Sequence, residues 1–156
     1  IDYLNFGIGG TTSGATGSNG SAPTRLGALT ASTADLVIIG FGMNELGSSS
    51  TAANMTTIVQ ACLAAGKKVM IIGVPRPNVV RGSSVDEAWR YTNRALARVA
   101  TYLGVAFIDF VSLYDDDCLA AMGISPADVC AANYYNHPSI NEYRVMGDAI
   151  ARLFDE

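Results

Sequence analysis

Short apolar runs alternate along the chain with longer stretches that have helical periodicity. The continuous apolar runs at 35–39, 67–74 and 105–109 are typical of strands that are covered on both faces. Residues 2–6 predict a further short strand, which breaks at Gly7. The chain therefore contains four predicted strands.

The intervening segments predict helices. Their predicted bounds are 23–29, 52–65, 84–103 and 139–154, with a further short helix within 111–136. Serines stand at the starts of the second, third and last of the long helices, where a hydroxyl can cap free amides. Glycines follow the second and third, where they can end a helix.

Strands that alternate with helices of this length predict βαβ units and a parallel sheet between helical layers, a three-layer α/β/α sandwich. With 156 residues and no linker or repeat, the chain is predicted to be one domain, 1–156. In such sheets functional residues gather where the strands end. The segments after the predicted strands are Gly7–Gly10, Gly42–Asn44, Pro75–Asn78 and Asp109.

Composition excludes several classes of protein. The net charge is -4 and no basic cluster occurs, which argues against binding nucleic acid through phosphate. The apolar runs are well short of the ~20 residues of a transmembrane helix.

Cys62 fits a small buried apolar position. Cys118 and Cys130 flank a loop and are either a disulfide, which requires an oxidising compartment, or two buried thiols.

Three residues suit an acyl-transfer site, which needs a base and donors for an oxyanion. His137 is the only histidine and the only side chain whose ordinary pKa suits a general base near neutral pH. Asn44 follows a buried strand, so its amide can project over the sheet edge, although a turn-forming asparagine is the simpler interpretation. Gly10 lets a backbone N–H approach a substrate oxygen closely. Taken singly, each residue also fits an ordinary loop.

Cofactor and metal sites are not indicated. A dinucleotide fingerprint in Gly7–Thr12 would need a glycine at Thr12, and no acidic residue ends the following strand. The single histidine has no Cys, Asp or Glu cluster around it at metal-ligand spacing. We therefore expect no cofactor and no metal.

Three segments, in this order, resemble conserved blocks of the SGNH (GDSL-like) hydrolases. The first is Asn5–Thr12. The second is Gly42-Met43-Asn44-Glu45, which has Glu in place of the Asp of a G-x-N-D motif. The third is His137-Pro138, followed by Asn141-Glu142-Tyr143. The resemblance implies the SGNH hydrolase fold, with a flavodoxin-like parallel sheet, and an esterase without a cofactor. It also implies that Gly10 N–H and the Asn44 amide are oxyanion donors and that His137 is the base.

The chain departs from the family pattern in two places. The family's nucleophilic serine belongs to a block upstream of the glycine block, but none of the nine residues before Gly10 is serine. Ser13, in a Gly-rich loop, is a poor substitute. Tyr134 stands where the family has the aspartate that orients the histidine. A backbone carbonyl or another group would then orient the ring, and the catalytic pair would be a Ser–His dyad. We expect the chain to be the C-terminal part of a larger one that supplies the first strand and its serine.

The sequence thus predicts a serine esterase. Polar loops containing Arg76, Asn78 and Tyr134–Tyr135 favour a carbohydrate acyl or acetyl ester, such as a bacterial or phage surface polysaccharide. Such a substrate favours a secreted, cell-envelope or virion-associated protein. The alternative is a non-catalytic glycan-binding or structural module, which the lack of Ser and Asp favours. A flavodoxin-like nucleotide binder is a third reading.

Overall fold

Three parallel strands form the sheet in the described part of the chain. They are β1 (Leu36–Ile39), β2 (Lys68–Ile72) and β3 (Ala106–Ile108), in the order β1-β2-β3. Val37 lies opposite Val69, and Ile71 lies opposite Phe107. Since all three strands run in one direction, the loops that follow them leave the sheet at the same edge.

The computed structural model describes residues 4–8, 10–14, 22–77, 82–113, 120–121, 123 and 140–152. The helices are α1 (Ala22–Ala31), α2 (Thr51–Ala64), α3 (Ser84–Leu103), α4 (Phe110–Leu113) and α5 (Ile140–Ala151), with a 3-10 turn at Met43–Glu45. The predicted helices and the predicted α/β fold with a parallel sheet are confirmed. None of the described helices combines the length and the apolar character needed to cross a membrane.

The core lies between the sheet and the helix pair α2 and α3, which pack against each other and against the strands. Successive side chains alternate between the faces of a strand, so Val37, Val69 and Ile71 share one face. They are buried together with residues of α2 and α3: Met55, Ile58, Val59, Cys62, Trp89, Leu96, Val99 and Ala100. Each large apolar side chain contributes about 1.5–3 kcal/mol by leaving water.

The end of β2 is fixed by polar groups of α3. Asn93 Oδ1 accepts a hydrogen bond from Val74 N (2.9 Å), and Trp89 Nε1 donates to Val74 O (2.7 Å). Gly73 fits between strand and helix because it has no side chain: a Cβ there would lie 2.5 Å from Asn93 Oδ1 and 2.9 Å from Ile108 O. The loop after β2 therefore leaves the sheet in one direction.

The predicted strand at 2–6 is wrong for the residues that the structure describes, because Leu4–Phe6 form no strand. Asn5 Oδ1 instead accepts a hydrogen bond from Gly7 N at 2.8 Å. This local turn competes with strand pairing, and no described strand lies beside β1 to pair with the segment.

β1 is an edge strand of the described sheet and is only partly covered. Ile38 is 43% exposed, whereas its neighbours Val37 and Ile39 are buried. The expectation that strand 35–39 is covered on both faces is therefore wrong on the face that carries Ile38. An apolar run in the sequence does not reveal whether a strand lies at the centre or the edge of its sheet.

The ends of the helices differ in how they are capped. At α2, Ser50 occupies the N-cap position but makes no capping hydrogen bond through its side chain, contrary to expectation. Gly66 follows the C-terminus of that helix with φ 76, and Lys67 N donates to Cys62 O, as expected for a glycine-ended helix. At α3, Ser83 Oγ accepts from Asp86 N at 3.3 Å.

Cys62 has the predicted character. Its side chain is fully buried, and burial raises the pKa of its thiol while Lys67 lowers it to a smaller extent. The thiol is thereby kept protonated and shielded from reagents. Cys118 and Cys130 lie outside the described residues.

Asp86 secures the start of α3. Its carboxylate, buried within the described structure, accepts from Gly82 N (3.0 Å) and pairs with Arg90 Nε (3.2 Å). Burial, the largest effect, raises the pKa of Asp86, but the Gly82 hydrogen bond, Arg90 and Arg76 together outweigh it, so that the pKa is lowered.

We expect Asp86→Asn to lower the free energy of unfolding at pH 7 by about 1–2 kcal/mol, because a charged acceptor is lost. A lowered pKa means that the stabilisation is fully present above the usual value of 3.8 and is lost as the pH falls through the folded-state value. Urea unfolding between pH 7 and 2.5 should show the two proteins converging at low pH. The exposed Glu87→Gln is the control, and a pH-independent difference would contradict the assignment.

Candidate active site

A sharp turn carries the chain from β1 into the segment that holds Asn44. Gly42 has φ 122, and a Cβ there would lie 2.7 Å from Val74 Cγ2 and 2.8 Å from Thr92 Cγ2. Only glycine combines this dihedral with this close packing. The 3-10 turn Met43–Glu45 follows directly, and its Glu45 N donates to Gly42 O at 3.1 Å.

The loop containing Gly10 is shaped by hydrogen bonds within itself and from α1. Gly10 has φ 72 and is exposed. Thr11 Oγ1 donates to Ile8 O at 2.8 Å. Arg25 of α1 donates through Nη1 to Phe6 O (2.6 Å) and through Nη2 to Thr11 Oγ1 (3.0 Å). One guanidinium therefore binds the loop on both sides of Gly10.

The segments that carry two of the three predicted site residues are in contact with each other. Asn44 Nδ2 donates to Thr11 O at 3.0 Å, and Thr11 directly follows Gly10. Both Gly10 and Asn44 are exposed to solvent. The amide of Asn44 carries two hydrogens, so one N–H remains for another acceptor.

Glu45 adds a second connection between the same segments. Its Oε1 accepts from Ser13 N (2.8 Å) and its Oε2 accepts from Ser13 Oγ (2.9 Å). Asn54 Nδ2 of α2 donates to Ser13 Oγ at 3.3 Å. Ser13 is 1% exposed, which agrees with the expectation that it is a poor nucleophile.

The third predicted site residue, His137, lies outside the described residues, as do Tyr134, Tyr135 and Asn78. Arg76, after β2, is half-buried. Asp109, after β3, is exposed, and its Oδ1 accepts from Val111 N at 2.9 Å. Both therefore follow strand ends as predicted.

The two candidate donors line neither of the cavities that the described residues form. Two cavities, of about 140 and 620 Å³, are lined by residues of α2, α3 and the segment after β3, with none from 10–14 or 42–45. In the part of the chain that the structure describes, no group of three His, Cys, Asp or Glu side chains could hold a metal ion. Among the described groups, the second N–H of the Asn44 amide can donate to an oxygen of a ligand.

The sequence did not reveal the contacts that hold these donors. Ser13 and Glu45 are 32 residues apart, and Arg25 stands in a helix whose other residues are uncharged. The one available signal was Glu45 itself, since it takes the place of the Asp in the G-x-N-D pattern.

Comparison with known proteins identifies a family. The model of the GDSL-like lipase/acylhydrolase family matches residues 1–145. No curated protein sequence matches the chain significantly.

Known structures share the fold at low sequence identity. An acetylxylan esterase from Geobacillus stearothermophilus superposes with a TM-score of 0.65 at 15% identity, over 86% of this chain and 69% of that one. A peptidoglycan O-acetylesterase gives 0.63 at 20% identity, over 86% of this chain and 41% of that one, so the present chain spans less than half of it. An α/β hydrolase from the metagenome of Lake Arreo, Spain, gives 0.57 at 14% identity, over 74% and 57%.

Catalytic mutants of the acetylxylan esterase are among the similar structures. Their substitutions replace a serine, a histidine or an aspartate by alanine. At such low identity the similarity concerns the fold, and these roles belong to that enzyme.

We expect Gly42→Ala to destabilise the protein by about 3–5 kcal/mol, since it combines a strained dihedral with overpacking. Gly66→Ala is the matched control: its φ is 76 and a Cβ there meets nothing within 4 Å, so only about 1–2 kcal/mol of strain is expected. Urea unfolding measures both. Equal losses would show that the contacts with Val74 and Thr92 do not constrain the turn.

Proposed function

Because the chain belongs to the GDSL-like lipase/acylhydrolase family, a family of ester hydrolases, we propose that it is a serine esterase of SGNH type. The observation that carries the proposal is the hydrogen bond from Asn44 Nδ2 to Thr11 O (3.0 Å). It brings the side-chain amide of Asn44 beside the loop of Gly10, as two donors to one oxygen require.

In the proposed reaction the serine oxygen attacks the ester carbonyl, and His137 takes the serine proton. The carbonyl oxygen becomes an oxyanion, which accepts from Gly10 N–H and from the Asn44 N–H that Thr11 O does not use. The C–O bond to the alcohol then breaks, and His137 returns the proton to the leaving alcohol. Water hydrolyses the acyl-enzyme by the same steps.

We propose that the nucleophilic serine is carried by a segment that adds to the outer edge of β1. No described strand pairs with that edge. Ser13 does not fit the role, because its hydroxyl is buried and hydrogen-bonded to Glu45. With Tyr134 in the family's Asp position, a backbone carbonyl is the proposed orienting group for His137.

The proposed substrate is a carbohydrate ester with a small acyl group. Two proteins of similar fold are described as an acetylxylan esterase and a peptidoglycan O-acetylesterase. Gly10 and Asn44 are exposed to solvent, and Arg76 is half-buried after β2. These features suit a polar polymer better than a long acyl chain.

Asn44→Ala should lower kcat for p-nitrophenyl acetate by about 10²–10³, because one oxyanion donor is lost. His137→Ala should reduce hydrolysis at least as far, and Gln60→Ala, on the exposed face of α2, is the control. A fluorophosphonate that labels the nucleophile, followed by peptide mass spectrometry, should modify a serine other than Ser13. Equal activity in the wild-type protein and in His137→Ala would refute the role of His137 as the base, whereas no hydrolysis by the wild-type protein would favour the non-catalytic glycan-binding module instead.

Substrate preference is tested by comparing acetylated xylan and O-acetylated peptidoglycan with p-nitrophenyl esters of increasing acyl length. We expect kcat/KM to fall by about tenfold or more from acetyl to octanoyl, because Gly10 and Asn44 are exposed to solvent and a long acyl chain beside them would gain little apolar burial. Acetate release from either polymer, measured by an enzyme-coupled assay, should exceed the buffer blank. A preference for octanoyl would contradict the proposed substrate class.

A further inference from the structure

The carboxylate of Glu45 bridges the two segments that carry the oxyanion donors. Both of its oxygens are directed at one residue: Oε1 accepts from Ser13 N at 2.8 Å and Oε2 accepts from Ser13 Oγ at 2.9 Å. Hydrogen bonds to an ionised acceptor are about twice as strong as those between neutral groups. The pair is therefore the strongest described connection between the two segments.

Glu45 and Asn44 act on the same loop from consecutive positions of one 3-10 turn. Asn44 Nδ2 holds Thr11 O, and Glu45 holds Ser13, so three hydrogen bonds join residues 44–45 to residues 11–13. Gly10 precedes this fixed stretch directly. A shift of Ser13 therefore changes the position of Gly10 N–H relative to the amide of Asn44.

The far end of the connection is anchored on α2. Asn54 Nδ2 donates to Ser13 Oγ at 3.3 Å, and the serine hydroxyl donates in turn to Glu45. A Cβ on Gly14 would lie 2.9 Å from Asn54 Nδ2, so the loop approaches the helix closely. Because Ser13 is buried, water competes little for these bonds.

We propose that Glu45 is a positioning residue, which sets the separation between Gly10 N–H and the Asn44 amide by clamping Ser13. This rests on the proposed function, in which those two groups receive the oxyanion. Glu45 touches no substrate and acts through Ser13. Its longer side chain, compared with the Asp of the family pattern, sets how closely the loop approaches the turn.

The test compares Glu45→Ala, Glu45→Gln and Ser13→Ala with the exposed control Glu87→Gln. A misplacement of about 1 Å reduces rates by about 10², so Glu45→Ala should lower kcat by about 10- to 100-fold with KM changed by no more than about twofold. Glu45→Gln keeps an oxygen for Ser13 N–H and should restore part of kcat. The double variant Glu45→Ala with Ser13→Ala should have the same kcat as Glu45→Ala alone, since both substitutions remove the same contact between residues 13 and 45.

Active-site titration with a phosphonate counts the active molecules, so that kcat is obtained per active molecule. If Glu45 only stabilised the fold, this kcat would be the same in Glu45→Ala as in the wild-type protein. Hydrogen exchange provides a second measurement that needs no activity: in Glu45→Ala the Ser13 amide, whose N–H donates to Glu45, should exchange at least about tenfold faster, with β2 unaffected. Unchanged exchange, or unchanged kcat in an active protein, overturns the proposal. If the wild-type protein hydrolyses no ester, the proposed function fails, and exchange alone decides whether Glu45 fixes the loop.

Discussion

β2 is hydrogen-bonded through its backbone to a parallel strand on each side, and this pairing determines where the functional loops lie. β2 pairs with β1 over four residue pairs and with β3 over three. In a parallel ladder, a slip of one residue would turn each buried side chain to the opposite face. Val37, Val69 and Ile71 prevent that slip, because all three must face the helices α2 and α3. Apolar burial thus fixes the register of the strands, and their common direction brings the loops that follow them to one edge of the sheet.

The sheet brings the loops to one edge, but it does not fix their shapes. That is done by polar side chains that bind backbone atoms of distant segments. Asn93 and Trp89 hold Val74 after β2, whereas Asn44 and Glu45 hold the loop of Gly10. In each case one segment supplies the side chain and the other supplies a main-chain group. Such contacts give these glycine-rich loops defined positions despite their conformational freedom.

The sequence predicts the regular elements well because strand and helix signals are local. The Gly42-Met43-Asn44-Glu45 pattern also located the Asn44 segment, and the structure brings it to the loop of Gly10. What local signals could not supply is pairing at a distance. The bond between Ser13 and Glu45 spans 32 residues, the exposure of Ile38 depends on what packs on that face of β1, and no described strand pairs with Leu4–Phe6. His137 as the base stays a prediction.

The fit of Gly73 against Asn93 restricts how this protein can diverge in evolution. A methyl group at position 73 would meet both Asn93 Oδ1 and the backbone oxygen of Ile108, so a smaller residue at position 93 alone would not make room for it. A smaller residue at position 93 would also remove the acceptor for Val74 N. Homologues are therefore expected to keep glycine at position 73, and in any that replace it the course of the loop after β2 should differ as well.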